Sequence, residues 1–318
     1  MSIMTATGPI DGAQLGATLI HEHIFSLYLE YRADYGWDEE SALEEAVAAL
    51  SELPTVGIRT LVDMTVLGMG RSARRLRTLA ERVPELHLIA ATGVFTFADM
   101  PNFFRVRTNL VDENWMGDFF TREITDGIGD SGVRASVLKF VTDRQGAGDD
   151  VRVIAGQVAR AHLSTGVPII THSHSATRQG LTQQELLAAH GVDLGRVVIG
   201  HAGDSADLDY LQRLADAGSW LAMDRFGHGF SAPFDQRVET VVAMCERGYA
   251  ERMVLSHDTN VISDSVPPEI HEAPEIADWN YRCIPDIVLP RLRESGVSEG
   301  DIELMMVSNP RAILEPGR

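Results

Sequence analysis

The sequence predicts an α/β chain folded as one (β/α)8 (TIM) barrel, with residues 1–318 forming a single domain. Three observations predict it. Short apolar runs alternate with amphipathic stretches about eight times, the count of a closed barrel of parallel strands. No Pro-, Gly- or Ser-rich linker, low-complexity tract or composition shift marks a second domain. A chain of 318 residues with 44% hydrophobic content can bury a core of that size.

Taken in order, the strands fall at residues 16–20, 60–63, 87–91, 137–140, 168–171, 197–200, 220–223 and 253–256. Helices are expected at 39–53, 73–82, 151–164, 183–190, 207–217 and 236–247, where apolar residues recur at three- and four-residue spacing. Residues 95–115 and 259–279 read as irregular; the second holds Pro267, Pro268 and Pro274 and is too long for a minimal connection. Loops past the C-terminal ends of barrel strands build the active site, so these two segments are expected to shape a substrate pocket.

Polar residues collect at those same strand ends. His21-Glu22-His23 closes the first run, and alternation sends His21 and His23 to one side and Glu22 to the other. Lys139 ends the fourth run, His172 the fifth and His201 the sixth, while Asp258 follows the eighth. A lone strand-end histidine is usually part of the framework, and a lone aspartate before a loop is usually a turn residue. Six such groups at one barrel mouth instead make a site for Zn²⁺, Co²⁺ or Mn²⁺. Lys139 is the only lysine, although Lys and Arg together number 27. An amine can become neutral and react with CO2 or a carbonyl carbon, whereas a guanidinium stays protonated. His87 opens a strand, His162 and His190 lie on helices and His271 sits in a loop, so these read as structural or exposed. His174 reads as a supporting loop residue, His257 as pointing away from the site, and His228 as facing the pocket.

The bulk composition narrows the function classes. A net charge of −19 argues against nucleic acid and anionic membrane surfaces as partners, since both need clustered cations. Cys245 and Cys283 support neither a disulfide framework nor a cysteine zinc site, and reduced thiols in a cytoplasm are the simplest account. The start, Met1-Ser2-Ile3-Met4-Thr5, has no basic and apolar leader pattern, so a cytoplasmic protein with no membrane association is expected.

The ordered set His21-x-His23, Lys139, His172, His201 and Asp258 resembles the binuclear metal centre of the phosphotriesterase family of the amidohydrolase superfamily. The resemblance runs nearly end to end, through Gly8-Pro9-Ile10, residues 65–71, Ala91-Thr92-Gly93, residues 199–204, Asp224-Arg225-Phe226-Gly227, Ser256-His257-Asp258 and Asn309-Pro310. Asp224-Arg225-Phe226-Gly227 and Trp279-x-Tyr281 are most similar to the phosphotriesterase-like lactonases. The resemblance implies two divalent ions, zinc first with cobalt, manganese or iron as alternatives, bridged by a CO2-derived carbamate on Lys139 and by a hydroxide. His21, His23 and Asp258 complete the more buried site, and His172 and His201 the more exposed one. Asp258 takes the nucleophile's proton, with Asp204 and Arg225 behind it as orienting or relay groups, and a homodimer is expected.

The departures bear on the substrate. The lactonase branch usually carries tyrosines after the third strand, where this chain has Phe95 and Phe97, and relatives often have two cysteines where Thr259-Asn260 stands. The leading reading is a lactonase for apolar, acyl-tailed lactones with weaker phosphotriesterase activity, its pocket lined by Phe95, Phe97, Arg225, His228 and Trp279, with Phe103 and Phe104 nearby. The alternative is hydrolysis of another carboxylic ester, a phosphate ester or an amide on the same centre. A catalytically silent metal-binding scaffold is the reading from another class.

Overall fold

The computed structural model describes residues 2–315; Met1 and residues 316–318, the ends of the expected domain, lie outside the described residues. Eight strands form one parallel sheet in sequential order: β1 (Ala17–Glu22), β2 (Ile58–Asp63), β3 (His87–Gly93), β4 (Ala135–Val141), β5 (Ile169–His172), β6 (Val197–Ile199), β7 (Trp220–Met223) and β8 (Met253–Leu255). Each expected run coincides with one of them. The cores are rich in Val, Ile and Leu because both faces of a barrel strand are covered.

The principal helices between strands are α1 (Glu39–Ser51), α2 (Ala73–Arg82), α3 (Trp115–Thr125), α4 (Asp149–Thr165), α5 (Gln179–Ala189), α6 (Leu208–Asp216) and α7 (Phe234–Glu246). Side-chain caps set three of their starts: Asp38 accepts from Ser41 N, Ser72 from Arg75 N and Asp207 from Tyr210 N. Segment 95–115 is not irregular throughout, since residues Asn102–Leu110 are helical and Trp115 already begins α3. Pro101 fixes the extended entry to the first of these helices. Segment 259–279 is the irregular one. It holds a two-residue strand, Ile262–Ser263, which pairs in parallel with Phe25–Ser26 just past β1, and two short helical turns.

Two apolar layers follow from strand alternation. Leu61, Leu88, Leu138, Ile169, Ile199, Leu221 and Leu255 face the helices, while Ile20, Val62, Ile89, Val137, Ile170, Val198, Ala222 and Val254 fill the barrel interior. Ile3, Leu15, Ile313 and Leu314 close that inner cluster from the chain's two ends. Each fully buried Val, Leu or Ile contributes ~1.5–3 kcal/mol, so the packed interior dominates stability and leaves the polar groups to the other end.

Between β8 and β1 no regular ladder forms among the described residues; isolated backbone hydrogen bonds and the Glu22 side chain close the seam. Asp258 N donates to His21 O at 3.0 Å, and His23 N to Thr259 O at 2.9 Å. The Glu22 carboxylate accepts from Ser256 Oγ (2.8 Å), His257 N (2.7 Å) and Thr259 N (3.1 Å). Glu22 does point away from His21 and His23, and this is its work. Among the described residues no helix is long and apolar enough to cross a membrane.

Candidate metal centre

Interior positions carry the site upward from the packed layer. Lys139 lies two residues beyond Val137, His172 two beyond Ile170 and Asp224 two beyond Ala222, so plain alternation turns all three inward. Lys139 sits inside β4 and does not end it, because the strand continues to Val141. His21 and His201 need local irregularities. One extra residue in β1 between Leu19 and Glu22, a bulge against β2, lets His21 follow Ile20 into the interior. His201 has φ 59°, Arg225 63° and Asp258 54°, three of the four left-handed non-glycine residues among those described. Each such residue costs about 1–3 kcal/mol, and held strain of this kind collects at functional sites.

Two glycines make room. At Gly93, φ 137°, a Cβ would lie 2.5 Å from Lys139 O. At Gly200 it would lie 1.7 Å from Thr171 O and 3.3 Å from the His21 ring. Neither position tolerates a side chain.

The predicted residues do come together. Lys139 Nζ is 2.9 Å from His21 Nε2. His23 Nε2 is 3.2 Å and His21 Nε2 3.6 Å from Asp258 Oδ1, and His201 Nε2 is 3.7 Å from Asp258 Oδ2. His201 Nε2 and His172 Nδ1 are 2.9 Å apart. The donor atoms of His21, His23 and Asp258 lie within 4.8 Å of one another. Burial pushes the His21 imidazole down to about 3 and holds His172 well below its usual value, so both present neutral lone pairs near pH 7. Burial also pushes the Lys139 ammonium down to about 8. Four imidazoles, one amine and one carboxylate around a shared space fit borderline divalent cations.

The supporting groups set which nitrogen faces that space. With Nε2 turned inward, His23 Nδ1 donates to Thr65 Oγ1 at 2.9 Å, and His201 Nδ1 donates to Asp224 Oδ1 at 3.0 Å. Asp224 Oδ2 also accepts from His201 N at 3.1 Å. His21 Nδ1 is 3.0 Å from the same oxygen but outside hydrogen-bonding geometry, and it has no hydrogen-bond partner. Asp224 could join His21 and His201 as a ligand set of its own. Its oxygens, however, face the Nδ1 side of both rings, which makes it the group that orients them. In the sequence, Asp224 is read only as part of the motif Asp224-Arg225-Phe226-Gly227, with no role assigned to it. The signal was its place immediately after β7, on the face of Ala222.

Arg225 Nε donates to Asp258 Oδ2 at 3.0 Å, and its Nη1 to Asp204 Oδ2 at 2.9 Å. Arg237, buried at the start of α7, donates to Asp204 Oδ1 at 2.6 Å. Burial acts to raise the Asp258 carboxyl, but His201, His21, His23 and Arg225 outweigh it and hold it well below the carboxylate range. Burial likewise opposes the Arg225 cation, and Asp204, Asp258 and Asp224 push it further up.

A cavity of ≈ 300 Å³ opens on this centre, and Phe95, Phe97, Arg225, His228 and Trp279 all line it. Phe95 and Phe97 rings lie 5.6 and 5.5 Å from the His172 ring. Trp279 Nε1 donates to His257 O at 2.9 Å, and its ring meets His228 edge-on at 4.8 Å. Burial lowers the His228 imidazole to about 4. Phe103 and Phe104 are not pocket residues. They pack against Trp115 and Phe119 among the outer helices, because the helix over 102–110 carries them away from β3. His257 points away, its Nδ1 on Glu22 and its Nε2 accepting from Ile284 N. His162 Nδ1 donates to Val167 O, a structural role, and His174 pairs with Thr177 in the loop after β5.

Comparison with known proteins shows the family. Residues 1–314 match the family described as the Phosphotriesterase family. The structure of the phosphotriesterase from Mycobacterium tuberculosis superposes with a TM-score of 0.95 at 42% identity, covering 99% of each chain. A solved structure from engineering organophosphate hydrolysis on a weak promiscuous lactonase template gives 0.91 at 32% identity, covering 99% of this chain and 100% of that one. An aryldialkylphosphatase of Saccharolobus solfataricus is 33% identical over 95% of this chain and 96% of its own length.

Proposed function

The chain belongs to the phosphotriesterase family and is a metal-dependent hydrolase, and from that premise we propose that it opens lactones. The observation that carries the reading is the convergence of His21, His23, Lys139, His172, His201 and Asp258 on an aromatic-walled cavity of ≈ 300 Å³. These six residues would hold two divalent ions, zinc first, with cobalt, manganese or iron suiting the same donors. Likeness to a protein described as a weak promiscuous lactonase supports the choice of bond.

Lys139 would carry the carbamate. Its neutral amine attacks the carbon of CO2, an N–C bond forms, one proton leaves, and an anionic oxygen ligand results. Its place as the sole lysine, 1% exposed among imidazoles, supports this role. The bound ions would polarise the carbonyl oxygen and supply a water acidic enough to attack at neutral pH. Asp258 would be the group placed to take that water's proton. Arg225 keeps its own protons and therefore orients Asp258 and Asp204, leaving no proton transfer through the guanidinium. Phe95, Phe97 and Trp279 exclude water and hold the ring, His228 fixes Trp279, and the product is a hydroxy acid.

The test is a panel of γ- and δ-lactones, aryl esters and phosphotriesters on metal-loaded protein. The reading expects lactones to have the highest kcat/KM; failure to open any of them while an ester turns over rapidly would sink it. A second reading, hydrolysis of another ester, a phosphate ester or an amide, is favoured by Phe95 and Phe97, which offer no hydroxyl to the carbonyl oxygen. The aryldialkylphosphatase relative supports its phosphate branch.

A further inference from the structure

The cavity lining holds two unlike groups of residues. One is apolar: Phe95 and Phe97, with ring centroids 5.0 Å apart, together with Met69 and Leu27. The other is polar: the short parallel pair past β1 sets Ser26 and Ser263 in register, and Ser265, two residues on, also lines the cavity. Asn260 belongs to the polar group too. These polar groups are not consumed by the fold. Ser26 and Ser265 hydroxyls approach only to 3.5 Å, Ser263 Oγ accepts from Ser265 N at 3.1 Å and keeps its own O–H, and the Asn260 amide makes no side-chain hydrogen bond among the described residues.

We infer that the pocket takes a lactone whose ring carries hydroxyl groups, in preference to a bare ring with a long apolar tail. This rests on the lactone-opening reading above. A hydroxylated ring is itself two-sided: its C–H face packs on Phe95 and Phe97, and its hydroxyls exchange hydrogen bonds with Ser26, Ser263 and Asn260. An alkyl tail laid along the same groups would strip them of water and return nothing. Size agrees. Ligand pockets span roughly 300–1,000 Å³, and ≈ 300 Å³ suits a compact ring.

Two measurements on the metal-loaded full chain test this. Calorimetric titration with a 1,4-anhydro polyol, a cyclic ether that cannot be hydrolysed, reads the pocket without turnover. Kinetics then compare a dihydroxylated γ-lactone with the unsubstituted ring and with a long-chain 4-alkyl γ-lactone. The inference expects polyol binding and a kcat/KM at least about tenfold higher for the hydroxylated ring, because each well-made hydrogen bond is worth a factor of roughly 3–10. In Ser26→Ala/Ser263→Ala that ratio falls towards one and polyol binding weakens. Preference for the bare or long-tailed ring, or a ratio untouched by the double variant, overturns it while leaving the lactonase reading in place. Serine-dependent polyol binding with no lactone opened supports the pocket chemistry and fails the lactonase reading instead. The wild-type comparison stands even if the double variant does not fold.

Discussion

Replacing Asp224 by Asn keeps the shape of a side chain that solvent does not reach and removes its charge. In the native site Oδ2 takes the His201 backbone N–H at 3.1 Å and Oδ1 faces His201 Nδ1 at 3.0 Å. An amide offers one acceptor in place of two. The backbone N–H cannot change its role, so the amide oxygen must meet it and the NH2 must face the ring. His201 then accepts at Nδ1 and carries its proton on Nε2, the nitrogen 2.9 Å from His172 Nδ1. A protonated Nε2 has no lone pair for a cation. Loss of such an orienting partner weakens metal binding ~10–100-fold, about 1.4–2.8 kcal/mol. His21, whose Nδ1 is 3.0 Å from Oδ2, loses the same anion, which favours the upper end. Chelator competition on Asp224→Asn and wild type reads the effect directly. An unchanged dissociation constant in a folded variant would refute the tautomer argument.

Lys139→Met probes the buried amine through pH. The amine titrates near 8 in the folded chain against 10.5 when free, so the unfolded state binds more protons between those values and the wild-type apo-protein gains stability as pH rises through them. Urea unfolding in chelator should find the Met variant more stable by about 3 kcal/mol at pH 7 and level with wild type near 10.5; a pH-independent gap contradicts this. Phe95→Tyr restores a hydroxyl beside His172 and should raise lactone kcat/KM about fivefold for a hydrogen bond worth ~1 kcal/mol, in a steady-state panel. Gly200→Ala drives a Cβ to 1.7 Å from a backbone oxygen and should cost about 3 kcal/mol or more, seen as a collapse of the thermal midpoint.

The barrel was legible because alternation and apolar runs report directly on burial: β7 begins and ends where its run does, and α2 matches its expected bounds. The convergence of the candidate ligands was legible for the same reason, since Lys139 and His172 follow interior residues at two-residue spacing. What escaped depends on contacts between distant segments. The seam made by Glu22 with Ser256, His257 and Thr259 joins residues over 230 positions apart, and nothing local marks it. The helix Asn102–Leu110 hid among aromatic residues of no clear period, so Phe103 and Phe104 were misplaced. The π-helical segments Ile284–Val288 and Leu304–Ser308 likewise break the regular spacing of the C-terminal helices. The hydroxyl lining exists only because Phe25–Ser26 pairs with Ile262–Ser263, which the sequence alone does not disclose.

The central claim is that Lys139 is a chemically required part of a two-metal site. Metal content per chain, measured on wild type and on Lys139→Arg produced with added metal and bicarbonate, tests it most directly. The account predicts two ions per wild-type chain and a clear loss in Lys139→Arg, since a guanidinium forms no carbamate. A folded Lys139→Arg that kept both ions would contradict it.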